Sequence, residues 1–437
     1  MKKVLKFGGS SLADASQFQK VRSIIEADPE RAYIVVSAPG KRDSGDHKIT
    51  DLLLMSHQLS SHDLNFEEVF ALIEKRFLGI CKQLELDIDI APILAEVKDN
   101  IARGASRDYV ASRGEYINGL LLANYLKVPF VDASEIIRFD DNGVYDDLKS
   151  EELVSSRLSE YDRAVIPGFY GANKHGQIIT FSRGGSDVTG SIVANGVEAS
   201  LYENWTDVSG FLMADPKIQE DAKPMDLVTY KELRELSYMG APVLHEEAIF
   251  PVRKKGISIQ IKNTNDPDAP GTMIVHDDYD QIKQGNITGI SGKKGFTVIS
   301  VEKTLMNAEK GFIRKLISIF EANDISIEHI PSSIDSISII VADSQLKDKE
   351  KKVIEEIKIY CNPDVVAVYP GMALLTVVGR GMVKTKGTSA KLFTSLYEAG
   401  VNVRMITQGS SELNIIVGIE NRDFEKAVKA IYGAFNK

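Results

Sequence analysis

Apolar residues in the first part of the chain fall into short continuous runs separated by longer stretches of helical spacing, over roughly 260 residues. Residues 4–7 form one such run and end on Gly8-Gly9-Ser10-Ser11, which predicts a strand closing on a turn. Phe18, Val21, Ile24 and Ile25 then recur at helical spacing and predict a helix over 15–26. Residues 32–37 are almost wholly apolar, as in a strand buried on both faces. Residues 39–48 are polar and predict a mobile loop, followed by helices over 49–59, 66–84 and 109–126. Further strands are expected over 129–131, 164–169, 177–181 and 200–205, and a small-residue helix over 191–196. Strands alternating with helices imply a mostly parallel sheet covered on both sides, an α/β class.

The texture changes over 261–272, where two prolines, a glycine and several Asn and Asp predict an irregular connection, and 277–285 reads as a linker. Beyond it the chain repeats itself. Gly311, Leu316, Phe320, Ile325, Ile327, Ile337, Ile339 and Val341 match Gly387, Leu392, Leu396, Val401, Val403, Leu413, Ile415 and Val417 without a gap, at an offset of 387 − 311 = 76. A helix is expected after each copy, over 348–359 and 422–435. Each copy reads as a ferredoxin-like βαββαβ unit, and two copies suit a paired regulatory module better than a solenoid. The expected domains are 1–280, 286–370 and 371–437, with the opening strand of the first unit able to pair with the second.

A length of 437 residues accommodates two or three domains. The net charge of −10 argues against nucleic acid as a partner. Cys81 and Cys361 are far apart, which excludes a disulfide framework or a zinc site and suits a reducing compartment. The N-terminus lacks the apolar core of a signal peptide, and no run approaches membrane-spanning length, so a cytoplasmic protein is expected.

The chemistry concentrates in Thr180-Phe181-Ser182-Arg183-Gly184-Gly185-Ser186-Asp187. Adjacent glycines at a strand-to-helix turn let backbone amides converge on an anion, and the helix N-terminus adds its positive end. Arg183 offers a planar fork to a carboxylate or phosphate. Asp187 fits such a place if a cation lies between it and a polyphosphate; the alternative is that Ser186 or Asp187 caps the helix. Lys6-Phe7-Gly8-Gly9-Ser10 repeats the arrangement, with Lys6 able to reach a phosphate. The sequence has no G-x-x-x-x-G-K-[ST], and no G-x-G-x-x-G opens the first helix. No histidine has an obvious nucleophile partner, and His245 reads first as a structural residue. A carboxylate acceptor, with a pKa of about 3.9, is already ionised and needs alignment and charge neutralisation more than a base.

Lys6-Phe7-Gly8-Gly9-Ser10, Ser112-Arg113-Gly114-Glu115, Arg183-Gly184-Gly185-Ser186-Asp187, Trp205-Thr206-Asp207-Val208, residues 240–245 and Asn263-Thr264, together with the paired repeat, resemble aspartate kinase along essentially the whole chain. The resemblance implies an amino acid kinase fold followed by two ACT units, with Mg-ATP phosphorylating the β-carboxylate of L-aspartate at the head of lysine, threonine and methionine biosynthesis. It implies that Lys6 and the Gly8-Gly9 amides stabilise the transferring phosphoryl group and that Asp187 organises lysines and magnesium without ligating the metal directly. Arg183 would grip the substrate's α-carboxylate and Glu115 its α-ammonium, in a pocket lined by Ser37, Thr50, Phe169, Thr180 and Ser186. Ser10, Gly184, Gly185, Thr206, Asp207, Asp215 and Lys217 would contact ATP. Without the resemblance, Glu115 reads as a surface acid and Thr206-Asp207 as a turn.

The chain departs from the family at Pro242, where a lysine is frequent, and at Leu212, where some relatives carry a stacking tyrosine; Lys217 or Lys223 are candidate replacements for the lysine. In the tail, the resemblance implies inhibition by lysine, threonine or both at an ACT–ACT interface of a homodimer or homotetramer. The matching loop residues are Met306, Gly311, Phe312, Ser326, Ile327, Glu328, Ser332 and Ser333, with Glu328 facing a ligand ammonium; otherwise Glu328 is a solvent-facing strand residue. The rivals are a kinase of another acceptor, such as glutamate, and a catalytically inactive amino-acid sensor. The ACT pair and residues 112–115 oppose the first, and the joint presence of Lys6, Glu115, Arg183 and Asp187 opposes the second. Because the chain stops after the second repeat, a fused homoserine dehydrogenase is not expected.

Overall fold

A computed structural model of the chain describes residues 2–436 except 183, 242, 243, 245, 280–286 and 384. The chain divides into two compact units, Met1–Phe211 with Pro224–Tyr230 and Val243–Tyr279, and Leu212–Lys223 with Lys231–Pro242 and Asp280–Lys437.

The first unit is built on strands β1 (Lys3–Phe7), β2 (Arg31–Val36), β3 (Ala164–Pro167), β4 (Tyr170–Ala172), β5 (Ile178–Thr180), β6 (Leu201–Thr206), β7 (Leu227–Thr229), β8 (Ile259–Asn263) and β9 (Thr272–Val275). Among the described residues, seven of them form one sheet in the order β3-β2-β1-β6-β8-β9-β7, parallel except at β8–β9. Val4, Leu5 and Phe7 are fully buried, as a central strand covered on both faces requires. Helix Ala15–Glu26 has the expected bounds because Phe18, Val21, Ile24 and Ile25 all face the core, and Asp14 caps its first turn. Helix Gly185–Gly196 packs on β1, β2 and β6. It can do so because its residues are small: a Cβ on Gly190 would lie 2.4 Å from the Tyr202 hydroxyl. The strand order reverses direction at β1 and β6, and the carboxyl ends of such neighbouring strands are where open α/β sheets bind ligands.

Some expectations need correction. Residues 129–131 contribute an isolated bridge, Phe130 to Val165, because the segment is too short to extend the ladder. The apolar run at 177–181 leaves the main sheet and pairs as β5 with β4 in a separate hairpin. Residues 261–272 are irregular in the middle, while their two ends belong to the antiparallel pair β8–β9. Helices Ala91–Ala102 and Asp147–Leu158 are additional to those the sequence pattern predicts. The linker expected over 277–285 lies, from residue 280, outside the described residues. Among those residues no helix is long and apolar enough to cross a membrane.

The second unit contains β10 (Gly289–Glu302), β11 (Ser336–Ala342), β12 (Val365–Val378), β13 (Met405–Thr407) and β14 (Asn414–Glu420), an antiparallel sheet in the order β11-β10-β12-β14-β13. The repeat governs its geometry. Strands β10 and β12 are offset by 365 − 289 = 76, and helices Phe312–Ala322 and Thr388–Glu398 by 388 − 312 = 76. Gly311 and Gly387 both sit at helix N-caps with φ of 84° and 88°, a backbone that favours glycine. Gly289 pairs with Val378 and Glu302 with Val365, so exchanging the two copies maps this ladder onto itself. Each long strand serves both copies: Ile290 packs in the core of the second, Ile299 and Val301 in that of the first.

Candidate functional site

The ends of β1 and β6 create the site. Parallel pairing sets Lys6 beside Asn204 and Phe7 beside Trp205. Lys6 Nζ lies 2.6 Å from Asp187 Oδ1, which also accepts from Asn204 Nδ2 at 2.8 Å. Asp187 is held from its backbone as well, since Tyr202 donates its hydroxyl to the Asp187 carbonyl at 3.1 Å. The two glycine turns thus meet at one ion pair. Asn204, which completes it, is visible only once β1 and β6 are known to be neighbours.

The turns differ in what they present. The Gly8 amide donates to Trp205 O at 2.9 Å, continuing the sheet ladder, so Gly8 does not offer that amide to an anion. Gly9 packs against another backbone: a Cβ there would lie 2.8 Å from Ala38 O and 3.2 Å from Gly40 N. Ser10 is half-buried within the 3-10 turn Gly9–Leu12. At the second turn Gly184 has φ 57° and caps helix Gly185–Gly196, its carbonyl accepting from Asp187 N and Val188 N, so that Gly185 and Ser186 supply the helix-opening amides. Gly185 is glycine because a Cβ would lie 2.6 Å from the Phe169 ring, and Phe169 itself holds φ 80°. Its amide donates to Thr189 Oγ1 at 3.0 Å, and its carbonyl accepts from Phe181 N at 2.9 Å. Such a strained non-glycine residue persists only where its surroundings determine it, and is one a sequence does not reveal. Ser186 lies under the same bend, 2.8 Å from where a Gly168 Cβ would sit.

Opposite the turns stands Glu115, 5% exposed on helix Arg107–Leu126. It is no surface acid. Gly114 lets the helix approach closely, since a Cβ there would lie 2.7 Å from the Ala38 Cβ. Burial pushes the Glu115 carboxyl up to about 8, against the pull of the Ala38 amide and of the Arg113 and Lys6 charges. Among the described residues its Oε2, which is buried, has no hydrogen-bond partner. One turn along, Asn118 donates to Ser37 O at 2.7 Å, tying this helix to the strand end that carries Ser37. Arg113 is packed between the rings of Tyr109, Tyr116 and Tyr170, at 4.5, 4.4 and 5.5 Å.

The remaining expected residues are placed as follows. Ser37 and Thr50 are half-buried, at the end of β2 and the start of helix Ile49–Ser61. The Thr180 hydroxyl donates to Asp108 at 2.9 Å. Thr206 donates to the exposed Asp207 at 3.2 Å. Asp215 and Lys217 belong to the second unit, in a turn closed by Lys217 N on Asp215 Oδ1 at 2.9 Å. Arg183, Pro242 and His245 lie outside the described residues. Among the described residues no cluster of His, Cys, Asp or Glu is arranged to hold a metal ion.

In the second unit, Met306 and Phe312 are buried in the core of the first repeat, so a ligand at the surface meets their backbone and not their side chains. Gly311 caps the helix, and Ser326 N donates to Gln345 at 2.6 Å. Ile327 packs at the edge of the same core. Glu328 accepts from the Tyr238 hydroxyl at 2.6 Å, while its amide donates to Ile340 O. Ser332 bridges to Ile337, and Ser333 N donates to Ser336 O at 2.7 Å.

Comparison with known proteins agrees with this arrangement. The amino acid kinase family model matches residues 1–263, and an ACT domain model matches 375–435. The chain is 39% identical to aspartokinase 3 of Bacillus subtilis, covering 99% of this chain and 98% of that protein. It is 30% identical to chloroplastic aspartokinase 1 of Arabidopsis thaliana, covering 99% and 80% respectively. The crystal structure of the Clostridium acetobutylicum aspartate kinase, described as an allosteric enzyme, superposes with a TM-score of 0.95 at 57% identity, covering 99% of this chain and 100% of that one. Escherichia coli aspartokinase III in complex with lysine and aspartate superposes with a TM-score of 0.75 at 25% identity, with full coverage of both chains.

Proposed function

The chain belongs to the aspartokinase family of amino acid kinases, and from that premise we propose how its residues divide the work of moving a phosphoryl group from ATP to the β-carboxylate of L-aspartate. The Lys6–Asp187 pair between two glycine turns carries the reading. A lysine held by a carboxylate at a strand end is pre-aimed, and the terminal phosphate of ATP can take over its ammonium with little reorganisation. The amides of Gly9 and Ser10 and those opening helix Gly185–Gly196 then face the phosphates from two sides. Magnesium would arrive with ATP and supply neutralisation of the phosphate charge, and Asp187 would help orient it without ligating it directly. The acceptor is already anionic, so transfer needs alignment and neutralisation of charge, with no general base.

Glu115 supplies the other half of recognition. A buried carboxylate whose Oε2 has no partner among the described residues is matched by an ammonium, and the substrate's α-ammonium is the group that fits. Arg183 takes the α-carboxylate, and Ser37, Thr50, Phe169, Thr180 and Ser186 enclose the pocket. Thr206, Asp207, Asp215 and Lys217 contact the nucleotide. We place the catalytic domain at 1–280 and the ACT units at 286–370 and 371–437, with lysine, threonine or both bound at Met306, Gly311, Phe312, Ser326, Ile327, Glu328, Ser332 and Ser333. The sheet face around Tyr369 and Ile406, which are 44% and 55% exposed, suits pairing of ACT units in a cytoplasmic homodimer or homotetramer. Trapping the acyl phosphate with hydroxylamine tests the reaction. Hydroxamate should form from ATP, Mg²⁺ and aspartate, and turnover of glutamate in its place would overturn the substrate assignment.

A further inference from the structure

The polar loop 39–48 is anchored from below by a side chain that the chemistry above does not use. Arg76 is 7% exposed on helix Glu67–Leu84. Its Nη1 donates to Gly40 O at 3.0 Å and Ala13 O at 3.3 Å, and its Nη2 donates to Asp46 Oδ2 at 2.5 Å and His47 O at 3.5 Å. One guanidinium therefore joins the segment after the first glycine turn to both ends of the loop. Asp46 is gripped a second time by Arg42, whose Nε and backbone amide each donate at 2.9 Å. The Arg42 and Arg76 cations hold the Asp46 carboxyl far below the usual carboxylate range. Gly40, the other end of the clamp, donates its amide to Gly9 O at 2.8 Å and has no room for a Cβ, which would lie 2.7 Å from the Gly9 carbonyl carbon. Two residues before it, Ala38 gives its amide to Glu115. The base of the loop is closed by Ile49 N on Pro39 O at 3.1 Å.

We propose that Arg76 is a positioning residue for phosphoryl transfer: by holding Gly40 and Asp46 together it fixes the segment 38–49, which backs the Gly9 turn on one side and Glu115 on the other. The inference rests on the reading of those two places as the phosphate and ammonium sites. Arg76 touches neither, and acts on Gly9 through Gly40. Its fork reaches three carbonyls and a carboxylate at once, which a lysine's single ammonium cannot do. Displacements on the order of 1 Å at a reacting centre cost about a hundredfold in rate.

The test compares Arg76→Gln, Arg76→Lys and Asp46→Asn in the full-length protein by steady-state kinetics for both substrates, thermal melting and limited trypsin digestion. The loop carries its own reporters, Lys41, Arg42 and Lys48. Arg76→Gln should lower kcat about ten- to a hundredfold. Arg76→Lys should recover part of that loss, and Asp46→Asn should shift kcat in the same direction by a smaller factor. In each case cleavage at the loop should be faster than in the wild type. A folded Arg76→Gln or Asp46→Asn protein with kcat and both KM values within about twofold of wild type overturns the proposal, on the same scale. So does lost activity with unchanged trypsin sensitivity of the loop. If Arg76→Gln does not fold, Asp46→Asn decides, because it leaves the buried helix intact. A wild type that does not phosphorylate aspartate would sink the functional reading instead, and the digestion would still decide the anchoring.

Discussion

Aspartate should bind with release of a proton, because Glu115 has to ionise to receive the substrate's ammonium. Burial holds this carboxyl at about 8, with Oε2 lacking a partner among the described residues. The ionised fraction is then about one half at pH 8, one tenth at pH 7 and one hundredth at pH 6. Only that fraction can pair with an ammonium, so apparent affinity rises by roughly fiftyfold between pH 6 and pH 8, while the substrate's own groups keep their charges. At pH 7 the cost of removing the proton is about 1.4 kcal/mol. The assay is the aspartate KM at saturating ATP across this range, with calorimetry in buffers of different ionisation enthalpy to count the protons. Glu115→Gln should raise the KM at pH 8 at least tenfold, for loss of a buried charge pair, and abolish the pH slope. A wild-type KM that is flat from pH 6 to 8, or a slope that survives in Glu115→Gln, would refute the assignment.

The same shift acts on stability with a definite sign. Folded Glu115 keeps its proton up to about 8, whereas the unfolded carboxyl loses it near 4.5, so the folded state binds more protons between those values and stability falls as pH rises through them. Glu115→Gln should therefore gain thermal stability relative to wild type at pH 8 and not at pH 4, and an equal difference at both would contradict the account. Gly9→Ala places a Cβ 2.8 Å from Ala38 O with Gly40 backbone alongside, and neither can yield. The expected result is a loss of about 1–3 kcal/mol in a denaturant titration and a fall in kcat of more than tenfold, and a wild-type-like variant would reject the tight turn. Glu328→Ala should weaken inhibition by lysine without changing uninhibited turnover. Tyr238→Phe, which removes the hydroxyl bonded to Glu328 at 2.6 Å, should lower the lysine concentration for half-inhibition. Unchanged lysine sensitivity in both would reject Glu328 as a contact.

What was legible in the sequence follows from how local each signal is. Helix Ala15–Glu26 could be read to the residue because its apolar face and its Asp14 cap are both encoded within it. The repeat of 76 residues could be read because each copy buries the same positions, Ile337, Ile339 and Val341 answering to Leu413, Ile415 and Val417. Both glycine turns announced themselves through Lys6 and Asp187, and the structure brings these two residues into contact. Helix Ala91–Ala102 carries a short local signal in Leu94, Val97 and Ile101. Other features depend on long-range pairing that no local pattern contains. Asn204 meets Asp187 only because β6 lies beside β1, and Gly40 shapes the first turn from 31 residues away (40 − 9). The loop 39–48 reads as mobile because it is polar, and the side chain that holds it, Arg76, belongs to another helix. Phe169 owes its positive φ to packing on Gly185, which composition cannot express.

The most direct test of the account is a crystal structure of the full-length protein with Mg²⁺, a non-hydrolysable ATP analogue and L-aspartate. Lys6 Nζ should then have left Asp187 for the terminal phosphate, at about 3 Å, with the aspartate ammonium on Glu115 Oε2. A terminal phosphate lodged away from the Gly9 turn, with Lys6 still bound to Asp187, would contradict it.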